Sequence, residues 1–90
     1  MKNLFDLRGE RILVTGAGGS IGGATARVCA ALGAELYVAD LRSPDDLAKE
    51  IGARAAFALD NTRREDVNAV LRDIGGALDA LIDTLLAPRS

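Results

Sequence analysis

The sequence predicts an α/β fold in which four parallel strands, in the order 3-2-1-4, lie between helices to make three layers. Two observations support this prediction. Four short runs rich in apolar and β-branched residues alternate with three segments in which apolar residues recur at helical spacing. A strand, a helix and a second strand in this succession form a right-handed crossover, which makes the strands parallel. Residues 1–90 are therefore expected to form one domain, which is half of a doubly wound fold.

The four predicted strands are each apolar enough to be buried on both faces of a sheet. They run from Arg11 to Thr15, from Glu35 to Asp40, from Ala55 to Asp60 and from Leu78 to Asp83. The segment from Met1 to Arg8 and the tail from Leu85 to Ser90 are expected to be loosely held.

The first helix follows directly after the first strand, and Gly33 is placed to end it. Its packing face is predicted to consist of Ile21, Thr25, Val28, Cys29 and Leu32. Cys29 on this face is expected to be a buried packing residue rather than a reactive thiol.

The second helix is predicted to begin with Ser43 as its N-cap and Pro44 at its first position, and to end at Gly52. Asp45 and Asp46 would complement the helix dipole. Leu47 and Ile51 are expected to face inward.

The third helix is predicted to begin with a capping box, because Thr62 and Glu65 have the required spacing. Gly75 and Gly76 would end it. Its apolar stripe consists of Val67, Val70, Leu71 and Ile74, and is expected to pack on the sheet face opposite the first two helices. One helix on that face would leave some apolar sheet uncovered.

Composition excludes several classes of function. The net charge is −2 and no basic cluster occurs, so neither nucleic acid nor an anionic membrane is expected as a partner. No apolar run approaches the roughly 20 residues that cross a bilayer, and a cytoplasmic location is predicted. Cys29 is the single cysteine and histidine is absent, which excludes an internal disulfide, a histidine-based catalytic triad and a histidine-ligated metal within these residues. No metal site is predicted.

A glycine-rich stretch, TGAGGSIGG from Thr15 to Gly23, joins the first strand to the first helix. Glycine lets a phosphate approach the backbone, and a helix N-terminus directs free N–H groups at an anion. The spacing of Gly16, Gly19 and Gly22, with the Ser20 hydroxyl nearby, therefore favours a pyrophosphate site. The alternative is that the glycines serve only tight packing.

Acidic or amide residues lie at the carboxyl ends of the second, third and fourth predicted strands. Asp40 lies 18 residues after Gly22, where a carboxylate can accept both hydroxyls of an adenosine ribose. This favours NAD over NADP, although Arg42 nearby opposes the preference; Asp40 could also be a plain turn residue. Asp60 and Asn61 could contact the adenine or could cap the third helix, and Asp83 ends the fourth strand at the same edge.

These motifs and their distances resemble the cofactor-binding half of the short-chain dehydrogenase/reductases, over nearly the whole chain. That family has a Rossmann fold and mostly uses NAD(P). The resemblance implies cofactor contacts from the following residues: Gly16, Gly19, Ser20, Ile21 and Gly22 at the pyrophosphate, Asp40 and Leu41 at the ribose, Asp60 and Asn61 at the adenine. Ser20 replaces the middle glycine of the usual T-G-x-x-x-G-x-G, and the G-x-x-G-x-x-G spacing is similar to that of the extended branch, which includes epimerases and dehydratases.

Two departures from the family limit the prediction. Where the classical branch has Asn-Asn-Ala-Gly, this chain has Asp83, Thr84, Leu85 and Leu86. The catalytic serine and the Tyr-x-x-x-Lys pair of the family have no counterpart here, so no catalytic residue is predicted. We expect a truncated NAD-binding domain that is inactive alone and that a catalytic segment would complement. The alternative is a non-catalytic module that senses nucleotides or forms a homo-oligomer through its uncovered sheet face.

Overall fold

Strands and helices alternate throughout residues 6–84, which are the residues that the computed structural model describes. The elements are β1 (Arg11–Thr15), α1 (Ser20–Ala31), β2 (Glu35–Asp40), α2 (Asp45–Ile51), β3 (Ala55–Ala58), α3 (Arg64–Ile74) and β4 (Ala80–Asp83). The strands form one parallel sheet in the order β3-β2-β1-β4. The predicted fold class and strand order are confirmed.

The register of the sheet brings the carboxyl ends of its strands to one edge. Thr15 at the end of β1 lies beside Ala39 of β2 on one side and beside Asp83 of β4 on the other. Asp40 at the end of β2 is paired with Ala58 of β3. Polar residues that are distant in sequence therefore meet at this edge.

Two apolar cores lie on opposite faces of the sheet, because successive strand residues point to opposite sides. The first core joins β1 and β2 to α1 and α2, through Ile12, Val14, Leu36, Val38, Ala26, Cys29 and Ala48. The second joins the other faces of the same strands to α3, through Leu13, Tyr37, Ala39, Leu59 and Val70. The three predicted layers are therefore present, and Cys29 is buried as expected.

The predicted packing face of α1 is right for Cys29 but wrong for Ile21 and Val28. Ile21 and Val28 are 59% and 58% exposed, whereas the buried residues of the helix are Gly22, Ala26 and Cys29. These small residues recur at helical spacing and let the helix backbone lie close to the sheet. The larger apolar side chains of the helix consequently face outward. Gly33 follows the helix with a φ of 95°, as predicted for its end.

The predicted starts of α2 and α3 are also wrong. At α2, Pro44 is the N-cap, and the Ser43 hydroxyl donates to the carboxylate of Asp45 at 2.6 Å instead of capping the helix. At α3, Arg63 is the N-cap and no side chain caps the helix. The Thr62 hydroxyl donates instead to Asp60 Oδ1 at 2.6 Å. In both cases a nearby carboxylate competes with the helix for the hydroxyl.

The ends and inward faces of these helices agree better with the sequence. Gly52 adopts a left-handed conformation with a φ of 71° at the end of α2. In α3, Val70 is buried while Leu71 is 37% exposed. Leu47, Ile51, Val67 and Ile74 are partly buried and pack against the two cores.

The prediction that β3 and β4 are buried on both faces is wrong. Both strands lie at edges of the sheet described here, and each has one partner strand. Ala58 of β3 is exposed and Leu81 of β4 is 53% exposed. Both strands are also shorter than predicted, although Leu59 N–H still donates to Asp40 O at 2.7 Å and Asp79 N–H to Arg11 O at 2.8 Å.

A polar network centred on Arg11 fastens the opposite, amino edge of the sheet. Arg11 Nε donates to Glu35 Oε2 at 2.9 Å, and Arg11 Nη2 donates to the Tyr37 hydroxyl at 2.9 Å. Arg11 Nη1 also donates to the carbonyl groups of Gly75 and Ala77, just after α3. The bond from Arg11, together with that from Tyr37, lowers the pKa of Glu35 to about 2. This network ties the end of α3 to the sheet at the edge away from the glycine-rich loop.

Candidate functional site

The glycine-rich loop at the carboxyl edge makes a tight turn that ends as an open helix N-terminus. Gly16 has a φ of 71°, which glycine adopts without strain. Gly19 N–H donates to Gly16 O at 3.1 Å, and the first bond within α1 runs from Gly23 N–H to Gly19 O at 2.8 Å. The N–H groups of residues 20–22 thus precede the intrahelical ladder and are placed to meet an anion.

Gly22 and Gly19 are glycines for different reasons. A Cβ on Gly22 would lie 1.9 Å from Gly16 O and 2.6 Å from the Gly16 carbonyl carbon, so Gly22 is required for packing of α1 against the loop. A Cβ on Gly19 would lie 3.5 Å from Gly16 O, which is an ordinary contact, and Gly19 has a negative φ. Tight packing therefore explains Gly22 but does not explain Gly19.

Asp40 holds both of its carboxylate oxygens against backbone N–H groups. Oδ2 accepts from Gly18 N–H at 2.8 Å, and Oδ1 accepts from the N–H of Leu41 at 2.7 Å. A carboxylate has about four acceptor positions, so about one remains on each oxygen. Asp40 therefore still has room for two further donors side by side.

A cleft of about 470 Å³ opens between Asp40 and the glycine-rich loop. It is lined by Gly18, Gly19, Asp40, Leu41, Arg42, Ser43 and Pro44. Leu41 is 68% exposed and supplies an apolar wall beside the carboxylate. The cleft thus combines an acceptor pair, an apolar surface and a cation from Arg42.

Asp60 is engaged in the turn that precedes α3. Its Oδ1 accepts from the N–H of Thr62 at 2.9 Å and from the Thr62 hydroxyl, and these bonds lower the pKa of the Asp60 carboxyl. These contacts belong to a local turn and do not cap α3, whose N-cap is Arg63 without a side-chain hydrogen bond. They occupy Oδ1.

A cluster of polar side chains joins the ends of β1 and β4 to Asn61, which lies between β3 and α3. Thr15 Oγ1 donates to Asp83 Oδ1 at 2.9 Å, and Asn61 Nδ2 donates to the same oxygen at 3.0 Å. Thr84 Oγ1 donates to Thr15 O at 2.7 Å. The sequence placed Asn61 and Asp83 at the carboxyl edge of the sheet but did not predict the hydrogen bonds among these residues. Leu85 and Leu86, the other part of the predicted departure from the family, lie outside the described residues.

Within residues 6–84, the cleft has no tyrosine in its lining and no group of metal-ligating side chains. Tyr37, the single tyrosine of the chain, lies at the amino edge with Arg11 and Glu35, away from the cleft. Over the same residues, no three cysteine, aspartate or glutamate side chains are grouped as metal ligands. None of the described helices has the length and apolar character needed to cross a bilayer.

Comparison with known proteins gives a consistent set of similarities. The family described as short chain dehydrogenase matches residues 10–87. Nodulation protein G of Rhizobium meliloti is 41% identical over 70 residues, which are 74% of this chain and 29% of that protein. The 2,5-dichloro-2,5-cyclohexadiene-1,4-diol dehydrogenase of Sphingobium indicum is 34% identical over an alignment of 93 positions, which covers 97% of this chain and 37% of the dehydrogenase.

A solved structure shows the same similarity. The 3-ketoacyl-(acyl-carrier-protein) reductase from Brucella melitensis, complexed with NADH, superposes with a TM-score of 0.70 at 34% identity. The superposition covers 76% of this chain and 29% of the reductase. The chain thus spans about a third of the length of the proteins that it matches.

Proposed function

This chain belongs to the short chain dehydrogenase family, as its residues predicted, and we propose that its cleft binds a nicotinamide dinucleotide, with NAD preferred over NADP. One observation carries the proposal. The glycine-rich loop, which ends at the open N-terminus of α1, lines the same cleft as the Asp40 carboxylate through Gly18 and Gly19. An anion site beside an acceptor pair suits a pyrophosphate attached to a ribose.

The pyrophosphate is assigned to the N–H groups of Ser20, Ile21 and Gly22, with the Ser20 hydroxyl as a further donor. Gly19 supports this assignment, because neither its φ nor its packing requires a glycine, whereas a ligand close to the backbone would. Ile21 is exposed at the same turn and offers an apolar surface to the bound cofactor.

The adenosine ribose is assigned to Asp40 and Leu41. The acceptor positions that remain on Oδ1 and Oδ2 match two adjacent ribose hydroxyls. A 2′-phosphate would meet a carboxylate at this place, which favours NAD. Arg42 lines the same cleft and reduces this preference. Asp60 and Asn61 are proposed to contact the adenine. They would use the hydrogen-bonding positions that their bonds to Thr62 and Asp83 do not occupy.

Bound NAD supplies a hydride acceptor, and the described residues supply binding and orientation. We propose that these 90 residues bind the cofactor without completing the reaction, because they contain no Tyr-x-x-x-Lys pair to deliver a proton. A cytoplasmic location is part of the proposal. The single cysteine, Cys29, is buried and needs no oxidising compartment.

The test is calorimetric titration of the 90-residue chain with NAD and NADP in parallel. We expect saturable binding of both, with NAD the tighter. Gly19→Val should abolish both without a large change in melting temperature, because its side chain would enter the anion site rather than the protein. Ala24→Val adds the same kind of bulk on the exposed side of α1 and serves as the control. A folded wild-type chain that binds neither dinucleotide would refute the proposal.

A second candidate function is self-association through β4. It is favoured by the exposure of Leu81 on a strand that, within residues 6–84, has one neighbour. We expect the mass in solution, measured by light scattering, to rise with concentration, and Leu81→Ser to prevent the rise. A strict monomer at millimolar concentration would rule this candidate out.

A further inference from the structure

We propose that Gly18 is a positioning residue for cofactor discrimination, because its N–H group and its lack of a side chain together hold the Asp40 carboxylate in place. The inference rests on the proposed function of the cleft. Gly18 lies in the middle of the glycine-rich loop, outside the Gly16, Gly19, Gly22 spacing.

The contact joins two segments that are 22 residues apart. Gly18 N–H donates to Asp40 Oδ2 at 2.8 Å, which is within the usual length for a bond to a charged acceptor. The N–H of Leu41 holds Oδ1 at 2.7 Å. Because each carboxylate oxygen accepts one backbone hydrogen bond, the two bonds together set the orientation of the carboxylate plane as well as its distance from the loop.

Asp40 also explains why residue 18 is glycine. A Cβ on Gly18 would lie 2.8 Å from Asp40 Oδ2 and 3.4 Å from Asp40 Cγ, and the three nearest atoms all belong to Asp40. The φ of Gly18 is not positive, so the backbone itself accepts other residues. An added methyl group would therefore meet the carboxylate and break its bond to the loop.

A held carboxylate discriminates more sharply than a mobile one. The two ribose hydroxyls of NAD need both oxygens at fixed positions, and prior positioning reduces the entropy lost on binding. A 2′-phosphate would need the carboxylate to turn away, which the Gly18 bond resists. Releasing the Asp40 carboxylate should thus weaken the binding of NAD and leave the binding of NADP unchanged or slightly tighter.

The experiment compares wild type, Gly18→Ala and Gly19→Ala by calorimetric titration with NAD and NADP. We expect Gly18→Ala to lower the preference for NAD about tenfold, mainly through weaker NAD binding. Gly19→Ala should weaken both dinucleotides by the same factor, since its Cβ meets no part of Asp40 among its near contacts. In an Asp40→Ala background, Gly18→Ala should have no further effect on the ratio.

A measurement on the wild type alone keeps the test independent of the variants. In the absence of any ligand, the Gly18 amide should exchange slowly with solvent, because its N–H group donates to Asp40 Oδ2. Rapid exchange of this amide would overturn the proposal, as would an unchanged NAD to NADP ratio in Gly18→Ala, or an equal effect in the Asp40→Ala background. Failure of the wild type to bind either dinucleotide would instead overturn the proposed function itself.

Discussion

Replacement of Gly22 by alanine should destabilise the protein even without a ligand. The added Cβ would lie 1.9 Å from Gly16 O and 2.6 Å from Thr84 Oγ1, and the first of these atoms is backbone that cannot rotate away. Overpacking of this kind costs about 3 kcal/mol, near the upper end of its usual range. A domain of this size has roughly 5 to 13 kcal/mol of stability in total. The loss therefore corresponds to a fall in melting temperature of about 12 to 24 °C.

The assay is thermal unfolding followed by circular dichroism, with no dinucleotide present. Gly19→Ala is the matched control, because its Cβ would lie 3.5 Å from Gly16 O and the N-cap change should cost less than about 1 kcal/mol. If Gly22→Ala melts within about 4 °C of the wild type, the steric argument is wrong. If the steric argument is confirmed, a Gly22 variant that fails to bind the cofactor does so because its backbone is displaced, and not because a contact with the ligand is lost.

Three further predictions concern separate parts of the molecule. Asp40→Ala should reduce the preference for NAD about tenfold by calorimetry, through loss of the ribose acceptors, and unchanged discrimination would remove Asp40 from the ribose site. The pKa of Glu35 is lowered from 4.5 to about 2 by Arg11 and Tyr37, so the folded state binds fewer protons than the unfolded state. The contribution of Glu35 to stability should be complete above about pH 5 and be lost as the pH falls towards 2. The urea midpoints of Glu35→Gln and of the wild type should therefore converge between about pH 5 and pH 2. Midpoints that differ by the same amount throughout this range would contradict the prediction. Burial raises the pKa of the Cys29 thiol, so a thiol reagent should react slowly with the folded chain and rapidly in denaturant, and fast reaction of the native protein would show that this face of α1 opens.

The order of elements and of strands was predictable because it depends on local periodicity and on one chirality rule. The glycines at helix ends were predictable for a similar reason: Gly33, Gly52 and Gly75 each have a positive φ that the local chain requires. Such features need no knowledge of what lies across the molecule.

The packing face of α1 was not predictable from the spacing of large apolar residues. Gly22, Ala26 and Cys29 pack because they are small, and a helix close to a sheet has no room for Ile21 or Val28. Hydrophobicity alone ranks these two groups in the opposite order.

The helix starts and much of the site depended on contacts that a local pattern does not contain. Ser43 and Thr62 each have a carboxylate within two residues that takes the hydroxyl away from the helix. The bond from Gly18 to Asp40 and that from Asn61 to Asp83 each join residues 22 positions apart. The sequence placed these residues at one edge, but it could not show which of them are bonded to each other.

The central position of β1 makes its folding depend on the order in which the chain is synthesised. Of the four described strands β1 is synthesised first, yet Thr15 is hydrogen-bonded to Asp83 of β4, which is synthesised 68 residues later. At usual rates of elongation this delay lasts about 3 to 14 s. Throughout this delay, β1 has a neighbouring strand on one side at most. Its residues Leu13 and Val14 are among the least exposed residues of the finished fold. A nascent chain of this design leaves one of its most deeply buried strands without its second neighbour until β4 has been synthesised.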